Sequence, residues 1–289
     1  VGELVLAEVD WTARERVHSD RVDRFLEPHL RRAKAGEAHP VWDFLFTYYN
    51  LRPRQLRLWH PGFGVVLGGG AARRYLGRSG YGDHPAGVTV TAEHLVARSD
   101  IVAFIAELLR ATAGRPAALN CFGLHEWAMV YRAPKVRHDS VPLRLGAAAT
   151  DAVVESMPLR CSHFDAFRFF TTPAARRNAG TPTRADQFEW EQAGCVHANM
   201  DLYKWSYKLG PLIDSELVMD CLVLAAEARE LDMRASPYDL SRYGFEPISI
   251  EEPAGRAEYV RCQSVIAQRA TPLRDALLAR ADLLLAVSV

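Results

Sequence analysis

Three histidines, each within four residues of a carboxylate and set among bulky aromatics, fall between positions 125 and 201. They occur as His125-Glu126-Trp127, His163-Phe164-Asp165-Ala166-Phe167 and His197-Ala198-Asn199-Met200-Asp201. Ionisable groups in apolar sequence are expensive to bury unless they pair, bind a ligand or do chemistry. Their repetition in one region therefore makes it the place to expect a functional pocket.

The 289 residues are 49% hydrophobic, ample for a substantial core. No internal repeat, heptad run or low-complexity linker divides them, so residues 1–289 are expected to form a single domain. Lys plus Arg balances Asp plus Glu at 35 each, which leaves no overall field to gather polyanions or hold the chain on an acidic membrane. A nucleic-acid partner would need a local patch. Only Lys34, Lys135, Lys204 and Lys208 are lysines, so the basic set is mostly arginine, suited to bidentate phosphate or carboxylate contacts and equally a mark of genome composition. Five widely spaced cysteines without a CxxC pair fit reduced thiols in the cytoplasm. The segment VGELVLAEVDW resembles neither a secretion signal nor an anchor, and no run reaches the roughly 18 apolar residues of a membrane span. A soluble cytoplasmic protein without a membrane partner is expected.

Helical signals dominate, and the expected fold class is mainly α: a single helical domain with an irregular Gly-rich segment and at most a small β hairpin. Thr12 and Glu15 make a capping box for a helix reaching Gly36, with a kink or break at Pro28. The run Val41–Tyr49 reads equally as buried helix or buried strand. Residues 53–85 are rich in Gly and Arg, and read as a mobile loop region with one short strand pair. Further helices are expected from Ser99 to Gly114, from Asn120 to Arg132, from Val196 to Leu209 and from Asp214 to Arg234, and from Ala257 to about Ala286 with an interruption near Pro272. Residues 133–160 alternate apolar runs with prolines and read as a hairpin or extended cover.

His197 and Asp201 are four apart, so a helix places them on one face, where they can share a proton, a metal or a substrate group; Trp205 continues that face. His125 and Glu126 diverge by about 100° on a helix. His163 and Asp165 point the same way if Cys161–Phe169 is extended. His60 and His84, in Gly-rich sequence, read as solvated turn residues. Imidazole and carboxylate are the ligands of non-haem iron and zinc, which makes His125, His163, His197 and Asp201 candidate metal ligands. No HExxH, repeated ExxH, Walker loop, GxSxG elbow or strand-borne GxGxxG is present.

The segments HPVWDFLFTYY, LWHPGFGVVL, CFGLHEWAMVYR, CSHFDAFRFF and GCVHANMDLYKW resemble an actinobacterial family labelled 3-methyladenine DNA glycosylase, over nearly the whole chain. That resemblance implies excision of alkylated purines from DNA, with no cofactor. His60-Pro61-Gly62-Phe63-Gly64 looks like the phosphate-binding hairpin of helix-hairpin-helix glycosylases, and Asp83 stands 19 residues beyond Gly64, where a catalytic Asp would follow. The match departs from the pattern in its leading His60 and in the glycines of VVLGGGAARRY. On this reading Asp83, Glu126, Asp165 and Asp201 are candidate carboxylates. Trp42, Tyr48, Trp127, Phe167 and Trp205 are candidate walls for a flipped base, and Arg73 and Arg74 candidate phosphate contacts.

Two other readings stay open. In one, His125, His163 and His197 with Glu126, Asp165 or Asp201 serve a metal-dependent oxidase or hydrolase of a small molecule, holding iron or zinc. In the other, the same groups form a buried hydrogen-bond network in a non-enzymatic helical binding protein.

Overall fold

The computed structural model describes residues 3–134 and 141–287. The chain is mainly α-helical. Strand β1 (Leu4–Leu6) leads directly into helix α1 (Glu8–Ala35). Three further strands follow, β2 (Val65–Leu67), β3 (Tyr81–His84) and β4 (Gly87–Val90), giving a sheet of order β1-β2-β4-β3. β1 and β2 are parallel and the other pairs antiparallel. This is more β structure than a hairpin, and residues 53–85 supply two of its four strands. Alternation in Gly87–Val90 puts Val88 and Val90 into the core, and Gly87, at φ 149°, lies too close to the Leu67 carbonyl to carry a Cβ.

The remaining long helices are α2 (Ser99–Ala113), α3 (Leu124–Val130), α4 (Gly146–Ser156), α5 (Val196–Lys208), α6 (Ser215–Arg234) and α7 (Pro253–Val287). α5 and α6 pack along each other in the centre, flanked by α7, which also covers α2. α6 is buried on most of its surface, as its sequence LVMDCLVLAA dictates, and starts where the Asp214 carboxylate accepts the amide of Leu217 at 3.0 Å. One continuous apolar core runs from Leu6 to Leu284. Among the described residues, no helix is long and apolar enough to cross a membrane.

Several sequence expectations are corrected. α1 starts at Glu8, and Thr12 lies inside it, donating to the Glu8 carbonyl instead of capping. Pro28 and Pro272 both lie within continuous helices. The Val41–Tyr49 run contains a single helical turn, Phe44–Thr47. α3 starts four residues late because Phe122 and Gly123 have positive φ, and Gly123 abuts Tyr259 and Ala235. Within 133–160, residues 135–140 lie outside the described set, and Gly146–Ser156 is helical instead of extended.

Candidate metal centre between two cavities

α3 delivers His125 and Glu126, α5 delivers His197, Asp201 and Lys204, and α6 delivers Arg229 and Asp232. Because all three helices lie inside the core, neighbours on one turn can both face the interior. That is how His125 and Glu126 reach the same cluster despite their divergence.

The cluster divides into two halves. In the first, His125 Nδ1 stands 3.2 Å from Asp232 Oδ1, and His197 Nε2 stands 3.6 Å from Asp232 Oδ2. Donor atoms of His125, His197 and Asp232 all lie within 4.8 Å of one another. Arg229 Nη1 donates to Asp232 Oδ2 at 3.1 Å and to Glu126 Oε1 at 2.8 Å, while its guanidinium lies 4.1 Å over the Phe44 ring. His125 Nδ1 and Asp232 Oδ1 are both buried and lack a hydrogen bond, because their contact is poorly aligned. Burial opposes charge on Asp232, yet His125 and His197 beside it hold its carboxyl well below the usual range. Burial, helped by the His125 charge, pushes His197 down to about 4, so its imidazole is neutral near pH 7. His125 is driven down by burial but raised overall by Asp232 and Glu126.

In the second half, Lys204 Nζ donates to Asp201 at 2.5 Å and to Asp165 at 2.8 Å, and Tyr49 donates to Asp201 at 3.2 Å. Arg184 reaches Asp165 from the surface side at 3.0 Å. His163 caps the turn Phe164–Phe167 by accepting the Ala166 amide on Nδ1. Its Nε2 therefore carries the proton and faces Asp201 at 3.3 Å and Glu191 at 3.5 Å. Burial disfavours charge on Asp201, but Lys204 and His163 hold its carboxyl below the usual range. This half is internally neutralised, whereas the first sets two carboxylates against one guanidinium.

The structure thus brings together His125, Glu126, His163, Asp165, His197 and Asp201, but sorts them differently from their spacing. His197 and Asp201 share a helix face yet serve different halves. His163 and Asp165 sit on a helical turn, not a strand, and both point to the Asp201 side. Asp83 is exposed on β3 with Arg73 3.7 Å away, and Arg74 pairs with Glu15, so none of the three belongs to the cluster. The segment after His60-Pro61-Gly62-Phe63-Gly64 is β2, so the hairpin is not followed by a helix. His60 is enclosed, with Nδ1 2.9 Å from the Tyr81 hydroxyl, instead of solvated. Trp127 is fully buried and donates to the Ala235 carbonyl; Trp205 packs on Phe104 beneath Lys204; Trp42 lies against Phe245. Tyr48, stacked on Phe44, does line a cavity of the cluster, and buried Phe167 packs on Phe170.

Sequence reasoning missed Arg229, Asp232 and Glu191. Arg229 and Asp232 continue the stripe Val218-Leu222-Ala225 on α6, and that phase was the available signal; Glu227 and Glu230 nearby obscure it.

Two cavities meet at the cluster, and both are lined by His125 and His197. One, of about 280 Å³, is walled by Leu124, Leu159, Phe170, Trp190, Tyr259 and three cysteines. The other, of about 250 Å³, presents Glu126, Asp165, Asp201 and Arg229 among Phe44, Tyr48 and Tyr49. No family model, curated protein or solved structure matches the chain. The chemistry of the site therefore rests on its own geometry.

Proposed function

We propose that the protein is a metal-dependent enzyme acting on a small molecule, with His125, His197 and Asp232 as ligands of one iron or zinc ion. The observation that carries this reading is the convergence of two imidazoles and a carboxylate with an unsatisfied buried nitrogen and oxygen turned towards each other. Buried polar atoms without partners are costly, and a cation between them removes that cost. Two imidazoles plus one carboxylate is the donor set of non-haem iron oxygenases and of zinc hydrolases, both of which keep positions open for chemistry. Neutral His197 and ionised Asp232 are in the protonation states such ligands need, while His125, whose protonated form Asp232 and Glu126 favour, would give up its proton to the ion. Arg229 fixes the Asp232 carboxylate through Oδ2 and leaves Oδ1 towards the site, the role of an outer-sphere partner.

The split of charge supports placing the ion here and not at His163. Lys204 and Arg184 together already balance Asp165 and Asp201, and the Nε2 proton of His163 blocks its lone pair. Plasma mass spectrometry of the purified chain tests the proposal. Near one equivalent of iron, zinc or manganese is expected, and its loss in a His125→Ala/His197→Ala double variant. A metal-free chain that refuses reconstitution with Fe(II), Mn(II) and Zn(II) overturns it. Salt-sensitive binding to alkylated DNA with release of the base would then move the function to base excision.

A further inference from the structure

The two cavities that share His125 and His197 differ in chemistry. The cavity walled by Leu124, Leu159, Phe170, Trp190 and Tyr259 has no carboxylate in its lining, and its one charged residue, Arg160, is exposed at the mouth with Ala118 and Ala179. The opposite cavity is lined by three carboxylates and a guanidinium, all engaged in ion pairs. Cys121, Cys161 and Cys195 belong to the first wall. They present soft, polarisable surface, and burial pushes the Cys161 thiol up to about 12 and raises that of Cys121. Gly180 has no room for a Cβ against the Trp190 ring, so bare backbone backs the indole and holds it as a wall.

We infer that this thiol-lined cavity is the substrate chamber and takes an uncharged, largely apolar molecule of roughly one or two rings, a size that suits the low end of small-molecule sites. Away from the His125–His197 end, an anion meets no cation inside it and a cation no carboxylate, so with the ion removed a charged molecule would lose hydration that the apolar walls do not replace. Hydrogen-bonding groups in its lining include Asn120, Ser162, Gln192 and Tyr259 as well as the His125–His197 partition, and that partition orients the reactive part of the substrate towards the cluster. The opposite, ion-paired cavity is left for water and proton exchange. The assignment gains its catalytic meaning from the metal reading, but occupancy of the chamber does not depend on metal.

Three probes of one shape test it: indole, its anionic relative indole-3-acetate and its cationic relative tryptamine, titrated calorimetrically into the full chain before and after chelation, with the three compared after chelation, where no ion is left to ligate a carboxylate. Indole is expected to bind with a Kd at or below about 1 mM, and about tenfold or more tighter than either charged probe. Ala179→Trp and Ala118→Trp on the exposed rim, each checked for an unchanged melting transition, are expected to weaken indole about tenfold or more. Tighter binding of a charged probe, no binding of indole, or indole binding indifferent to both rim variants overturns the assignment. Indole binding by a chain that neither holds nor takes up Fe(II), Mn(II) or Zn(II) leaves the chamber standing and removes the metal-enzyme reading alone.

Discussion

Single residues in this protein carry unusual electrostatic weight, because charged groups sit where water does not reach. Arg229 is the clearest case: one guanidinium holds Glu126 and Asp232 in the core. Arg229→Met would leave two buried carboxylates without their cation, and removing one partner from a buried pair costs about 3–5 kcal/mol. Urea denaturation is expected to show a loss of that size, whereas Arg21→Met, at an exposed pair with Asp220, is expected to cost about 1 kcal/mol or less. Equal losses would contradict the burial argument. His60 gives a pH signature of its own. Burial, reinforced by Arg78 and His18, lowers its pKa to about 4. The folded state then binds fewer protons than the unfolded chain, so the His60 contribution is complete above about pH 6.5, falls as the pH drops to about 4, and is level below that. Its part-exposed ring sets the loss on the order of 1–3 kcal/mol. His18 shifts in the same direction, so the measurement is the stability difference between wild type and His60→Gln across that window. A difference that does not change with pH would refute it.

Elements were legible in the sequence where local chemistry decides them and obscure where tertiary contacts do. The boundaries of α2 and α6 fall at Gly114, a poor helix former just past the last turn, and at Asp214, whose carboxylate caps the first. Asp214→Ala is expected to lower stability by about 1 kcal/mol through the lost cap, with a further small loss because Arg280 donates to the same carboxylate at 3.1 Å. Thermal melts of Asp214→Ala and Asp214→Asn separate the two, since Asn still caps but weakens the ion pair. α3 was misplaced because nothing local announces that Phe122 takes a φ of 50°; packing of Gly123 on Tyr259, 136 positions along the chain, imposes the late start. The sheet was hidden for a related reason. Three-residue strands such as Leu4–Leu6 carry too little periodicity to read, and their pairing with Val65–Leu67 is a long-range event.

At the scale of the whole molecule, the region between positions 121 and 205 was legible as a candidate site because apolar sequence made its charges conspicuous. Its organisation was not, since the decisive Asp232 comes from a helix whose surface also carries ordinary acids. The proposed ion would tie α3, α5 and α6 together, elements that otherwise meet at a junction with unsatisfied buried atoms. Binding to the folded state alone stabilises by RT ln(1 + [L]/Kd), about 4 kcal/mol at a thousandfold excess over Kd. For a chain of this size that is a rise of roughly 8–16 °C in melting temperature, at about 2–4 °C per kcal/mol. Differential scanning calorimetry of the chelated chain, titrated with Fe(II), Mn(II) or Zn(II), is expected to show this rise for at least one of them. Asp232→Asn lowers the baseline melting temperature because it weakens the Arg229 pair, so the informative quantity is the metal response and not the absolute value. Loss of that response in Asp232→Asn, with its retention in Asp201→Asn, places the ion in the first half of the cluster. The reverse pattern would place it beside His163 and require Lys204 to give way.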